Sequence, residues 1–185
     1  MPAFPNKYQH WQIRLHWLTL LLLIIVYSTI ELRGFAIRGS WQGKAIIVTH
    51  FSCGVLVFAV MCARLLLRYR YPAPPVTPPL KRWQQLLSSL THKLLYLLFL
   101  TLPVLGVFSR YIRGQQWLVF GVPMPVSDHP DFTLSRQIIH WHETLANLGY
   151  WLIGIHALAA LAHHFLFRDD TLLRMIPARR HSPRK

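Results

Sequence analysis

The apolar positions of this 185-residue chain gather into four blocks, separated by segments rich in charge, proline and glycine. The first runs from Leu15 to Ile30 and contains the run LTLLLLIIVYSTI; the second, Lys44 to Leu67, is interrupted near its far end by Arg64. The third is Leu90 to Phe108 and the fourth Ile138 to Phe167. Each block can supply the ~20 residues that a helix needs to cross ~30 Å of hydrocarbon. Backbone polar groups in lipid must be satisfied within the segment, so the pattern predicts an all-α integral membrane four-helix bundle. The expected spans are about 12–31, 44–67, 90–110 and 138–167, with residues 168–185 as a tail and the whole chain, 1–185, as one domain. Pro103 and Gly106 inside the third span are expected to bend it.

The segments between blocks differ in character. From Arg68 to Ser89 the chain carries Pro72, Pro74, Pro75, Pro78 and Pro79, which predicts an extended basic strap. The connection from about Ser109 to Gln137 mixes Tyr111, Trp117, Phe120 and Phe132 with Gly121, Pro123, Pro125 and Pro130. Aromatics and prolines in a long loop predict a cap lying at the membrane interface over a site. The terminal RRHSPRK reads as a mobile tail.

Net charge of +14 invites a nucleic-acid reading, but the distribution of charge argues against it. With the N-terminus inside, 14 of the 20 Lys and Arg residues fall on inner segments and 6 on outer ones. That asymmetry is the positive-inside pattern of a multi-pass membrane protein, with both termini cytoplasmic. Anionic lipid accounts for the basic excess, and nucleic acid is set aside as a partner. Lys7 and Arg14 before an apolar run also resemble a secretory leader. However, the run ends in Glu31-Leu32-Arg33-Gly34 with no small-residue cleavage pattern, so a retained first helix is expected. Cys53 and Cys62, nine residues apart in one span, fall on opposite helix faces and read as apolar fillers.

The chemistry lies in the histidines, of which there are eleven. Ionisable side chains at membrane depth are costly and tend to be functional. His142 and His156 are fourteen residues apart, which returns them to nearly one face, ~21 Å apart along the axis. Depth pairs His50 with His142 toward the outside and His16 with His156 toward the inside. Two imidazoles facing each other at two depths suit two b haems with bis-histidine ligation, whose task is electron transfer. Haem attachment through thioethers is excluded, because no C-x-x-C-H occurs. His92 and His163 lie at the inner side, where they could hydrogen-bond a quinone headgroup and relay protons. On the outer side Arg33, Arg38, Lys44, Arg110 and Arg113 cluster at helix ends and could steer a small anion toward the outer haem. His140 faces away from His142, and His129 lies in a loop.

Several motifs make the chain resemble the bacterial cytochrome b561 family, and within it the superoxide-oxidising members. They are N-K-Y near the start, Q-I-x-L-H-W at His16, E-L-R-G-F, H-F-S-C-G at His50, R-G-x-x-W and F-G-V-P-M-P. The last span reads W-H-E-T-L-A-N-L-G-Y and then G-I-H-A-L-A-A-L-A-H-H, followed by T-L-L-R-M. The resemblance implies two b haems on His16, His50, His142 and His156. It further implies oxidation of superoxide on the periplasmic face of a bacterial inner membrane, with electrons delivered to ubiquinone near His92 and His163. Arg14 stands where a small polar residue is usual, and a cation there bears on the quinone site. The same four-histidine bundle resembles the cytochrome b subunits of formate dehydrogenases and nickel-iron hydrogenases. On that alternative a periplasmic redox protein replaces superoxide as donor.

Overall fold

Four long helices cross the molecule in alternating directions in the computed structural model, which describes residues 7–37 and 39–177. They are α1 (His10–Arg33), α2 (Trp41–Arg70), α3 (Arg82–Ile112) and α4 (Phe132–Phe165), each long and apolar enough to span a bilayer. A short hairpin of β1 (Leu118–Val119) and β2 (Val122–Pro123) lies in the α3–α4 connection, and a 3-10 turn, Leu173–Met175, follows α4. One end of the bundle carries the 71–81 strap; the other carries the 113–131 loop. Few residues of each span are fully buried, and large apolar side chains such as Leu21, Ile24, Leu66, Leu97 and Leu158 are exposed, as a lipid-facing surface requires.

Local sequence sets the helix limits. Gln9 opens α1 by accepting from Trp11 N while Gln12 accepts from Gln9 N at 3.2 Å, a reciprocal capping box. Ser40 accepts from Gly43 N at 3.1 Å to open α2, and Asp131 accepts from Leu134 N at 2.8 Å to open α4. Helix α2 stops where Tyr71 precedes Pro72. Helix α3 starts directly after Pro78 and Pro79, at Arg82, rather than near Leu90. The strap is therefore shorter than the proline pattern predicted, because the polar turns Arg82–Ser89 are already helical.

Packing runs from α1 to α2 to α3 to α4, around a core of Leu22, Leu23, Val57, Met61, Leu98, Phe99 and Leu102. Small residues allow the closest crossings. Ser109 and Ser135, both buried, exchange hydroxyl-to-carbonyl bonds at 3.1 and 3.0 Å where α3 meets α4. Tyr27 donates to Ala146 O at 2.9 Å across α1 and α4, and only glycine fits at position 149, where a Cβ would collide with the Tyr27 hydroxyl.

Two loops do more than connect. Phe120 and Gly121 both take positive φ (51° and 79°), which the tight hairpin turn requires. Phe120 N donates to the buried Ser52 hydroxyl at 2.8 Å, docking the hairpin on α2. The segment after α4 was expected to begin a tail, yet residues 166–177 are folded against the strap. Arg174 is buried, bonds Pro74 O and pairs with Asp170 at 3.5 Å; Trp17 Nε1 donates to Met175 O at 2.8 Å. The RRHSPRK stretch lies outside the described residues. Cys53 and Cys62 are free thiols.

Candidate functional site

His50 sits nine residues into α2 and His142 ten residues into α4, deeper than the sequence blocks placed them because both helices begin earlier. Their ring centroids are 6.3 Å apart. His16 on α1 and His156 on α4 face each other nearer the strap end at 6.2 Å. Both pairs expected from depth are thus close in space, and His156 has His92 nearer still, at 5.3 Å.

Backbone carbonyls orient the loop-end pair. His142 Nδ1 donates to Leu102 O at 2.9 Å, and His50 Nδ1 to Val26 O at 3.2 Å with Thr29 Oγ1 at 3.1 Å. Hydrogen bonds at Nδ1 leave each Nε2 free as the metal-facing nitrogen, the usual second-shell arrangement. Room for the His142 ring comes from Gly106: a Cβ there would lie 3.3 Å from Cε1 and 3.4 Å from Nδ1. The recess around this pair is lined by Gly54, Pro103, Gly106, Arg110 and Trp117, and is otherwise apolar. Trp117 comes from the docked hairpin region and packs edge-on against Phe51, so the loop does cap this pair.

The separations test whether a haem fits. A metal–imidazole bond of about 2.0–2.1 Å plus about 1.15 Å from nitrogen to ring centre, taken twice, gives about 6.3–6.5 Å. The two pairs, at 6.3 and 6.2 Å, lie close to that separation. Among the described residues no third His, Cys, Asp or Glu completes a metal cluster. Two trans imidazoles therefore suit a group that brings its own equatorial donors, as a porphyrin does. Gly54, one helical turn from His50 and part of the recess lining, presents open space where a side chain would stand. The donor set and its surroundings fit b haem.

Comparison with known proteins agrees. The family model described as prokaryotic cytochrome b561 matches residues 7–178. The chain belongs to the prokaryotic cytochrome b561 family. It is thus a multi-pass membrane cytochrome b of a family that binds b-type haem. It is 45% identical to the probable superoxide oxidase CybB of Yersinia pestis over 95% of this chain and 98% of that one. To cytochrome b561 homolog 1 of Escherichia coli K12 it is 41% identical, over 95% and 99%. Cytochrome b561 homolog 2 of the same organism is 31% identical, over 93% and 92%.

Within this b561 bundle the remaining predicted residues separate into two ends. His92 stacks edge-on against His156 with centroids 5.3 Å apart, and its Nδ1 donates to Ser88 O at 2.6 Å. His163 Nδ1 donates to the Asp169 carboxylate at 2.5 Å, and Asp169 also accepts from Thr171 N at 2.9 Å. Burial pushes the Asp169 carboxyl up, but the bonds from Thr171 and His163 outweigh it and hold it below the usual range. Arg14 is exposed and stacks over Trp11 at 5.1 Å; among the described residues no hydrogen bond or ion pair joins it to His92 or His163. At the loop end Arg33 and Lys44 are exposed, and Arg113 donates to Gln115. Arg110 lies over Phe51 at 5.4 Å with its buried Nε unpartnered. Arg38 lies outside the described residues.

Sequence reasoning missed several contributors. Thr29, Gly54 and Gly106 carry no chemistry of their own, and a histidine's second partner is mostly a carbonyl that no sequence pattern marks. Asp169 lay in a segment read as tail. Arg64 had a visible signal, an arginine inside an apolar block, and was counted only as inner charge.

Proposed function

We propose that this chain oxidises superoxide to dioxygen at the loop end and reduces ubiquinone at the strap end. His50 and His142 hold one b haem and His16 and His156 the other. The separation of 6.2–6.3 Å within each pair, at two depths of one bundle, is the observation that carries this reading. A b haem held by these residues would carry single electrons between its ferrous and ferric states.

The chain's own residues supply direction. The loop end is periplasmic and the strap end cytoplasmic in a bacterial inner membrane, which the inner excess of Lys and Arg supports. Arg33, Arg38, Lys44, Arg110 and Arg113 raise the local concentration of a small anion near the His50–His142 recess. The unpartnered Nε of Arg110 lies beside that recess and is free to donate. Two superoxide ions each give up one electron and leave as dioxygen. At the other end one quinone takes two electrons and two protons and leaves as quinol.

His163 is placed to manage one of those protons. With Nδ1–H fixed on Asp169, its Nε2 is the nitrogen left to meet a quinone oxygen, and the carboxylate balances the imidazolium that donates there. His92, anchored by Nδ1 on Ser88, likewise leaves Nε2 free. Arg14 adds positive charge at the same end. The name of the Yersinia pestis relative supports superoxide as the donor.

Haem content tests the assignment. The purified chain should carry two b haems by pyridine haemochrome. His50→Ala or His142→Ala should each remove one haem, and His16→Ala or His156→Ala the other. Retention of both haems in all four variants would refute the ligand assignment.

A further inference from the structure

Among the described residues Arg64 is a cation without an anion. It lies six residues before the end of α2, about 9 Å inside that helix terminus, at the depth of the His16–His156 pair. Its contacts turn inward rather than toward the membrane surface. Nη2 lies 3.2 Å from His16 Nδ1, Nη1 donates to Met61 Sδ at 3.6 Å, and the guanidinium stands 5.7 Å from the Tyr96 ring. All six acidic residues are among the described ones, and the two ion pairs they form are His163–Asp169 and Arg174–Asp170. None of them reaches Arg64. A guanidinium at this depth is expensive unless a negative group joins it.

The contact with His16 sharpens the point. A guanidinium only donates, so His16 Nδ1 must accept, which puts the ring hydrogen on Nε2. His50 and His142 have the opposite arrangement, with Nδ1 donating to carbonyls. Ligation of His16 through Nε2 moves the hydrogen to Nδ1, where it has no use for a donor. Arg64 is then left free for another acceptor beside the same pair.

We propose that Arg64 is the counter-cation for a carboxylate of the haem held by His16 and His156. The inference rests on the proposed haem ligation there. Each b haem brings two propionates, and a carboxylate beside a planar fork of N–H donors is the pairing that arginine makes best. A positive charge beside the porphyrin favours the ferrous state, so Arg64 raises the potential of the inner haem relative to a neutral side chain. That is the direction required for electrons arriving from the outer haem.

Spectroelectrochemical titration of the haem-loaded protein in liposomes tests it, with His16→Ala identifying the inner haem's signal. Arg64→Gln should shift the inner haem's ferrous-to-ferric ratio about tenfold toward ferric at fixed poise, about 59 mV for one electron, and leave the outer haem unmoved. Arg64→Lys should recover most of the shift. If Arg64→Gln sheds the inner haem altogether, retention by Arg64→Lys supports the same conclusion. A second arm loads the wild-type chain with iron protoporphyrin IX dimethyl ester, which keeps the iron but lacks the free carboxylates and should occupy the inner site less fully than haem. Two bound haems with unchanged potentials in Arg64→Gln, or equal occupancy by the ester, overturns the inference and leaves Arg64 as a cation for lipid phosphate. Absence of any haem from the wild-type chain would instead sink the ligation on which it rests.

Discussion

Replacing Gly106 by valine should empty the loop-end haem site while leaving the other intact. A Cβ at this position already lies 3.3 Å from His142 Cε1 and 3.4 Å from Nδ1, so alanine demands a shift of a few tenths of an ångström. Two further methyls have nowhere to go but into the ring. Overpacking of that kind costs about 1–3 kcal/mol. Pushing the ring away also breaks its 2.9 Å bond to Leu102 O, worth about 0.5–1.5 kcal/mol. Better helix propensity than glycine returns only a few tenths. The net, about 1–4 kcal/mol, corresponds to roughly 5- to 1,000-fold weaker retention of the haem. Pyridine haemochrome on purified Gly106→Val should find about one b haem per chain, with Gly106→Ala between it and the wild type. Two haems and a wild-type spectrum in Gly106→Val would refute the claim that His142 needs this gap.

Three further outcomes follow from other contacts. Gly149→Ala should lower thermal stability by driving a methyl into the Tyr27 hydroxyl, and the double variant Tyr27→Phe/Gly149→Ala should recover part of the loss in melting experiments. Asp169 is held below its unfolded value of about 3.9, so its stabilising effect is fully present above that pH and drains away as pH falls through the lower folded value. Melting temperature should therefore be insensitive to this group from neutrality to about pH 5 and decline below about pH 4, and Asp169→Asn should remove that acid-side decline. Neutralising Arg33, Lys44 and Arg113 together should slow superoxide-driven haem reduction at low ionic strength, with the difference shrinking at several hundred millimolar salt. Equal slowing at all salt concentrations would point away from steering.

How much of this was legible in sequence depends on the kind of signal. Apolar blocks of membrane length give the four spans directly, because lipid leaves a helix no alternative. The closeness of His50 to His142 and of His16 to His156 was legible because helix rise converts sequence position into depth, whereas the approach of His92 to His156 at 5.3 Å was not. Helix starts were less legible. Arg82–Ser89 looks polar and proline-flanked, yet it is helical, since two turns can lie at the membrane surface without being apolar. The 168–177 segment was read as tail because its fixed contacts are to Thr77, Pro74 and Trp17, distant in sequence. For the same reason the His163–Asp169 pair escaped notice: the six-residue offset crosses a helix end, where no periodicity applies. Arg64 needed the third dimension, which shows its guanidinium turned toward His16.

The central claim is that superoxide alone, without a partner protein, feeds this bundle. Stopped-flow mixing of the purified di-haem protein with potassium superoxide, followed at the haem α-band, tests it most directly. The account predicts rapid reduction of the haem in the absence of any dehydrogenase, then reoxidation when ubiquinone is added, with one quinol formed for every two superoxide ions consumed. Haem that stays oxidised until a periplasmic redox protein is supplied would contradict it and make the chain an electron-transfer subunit.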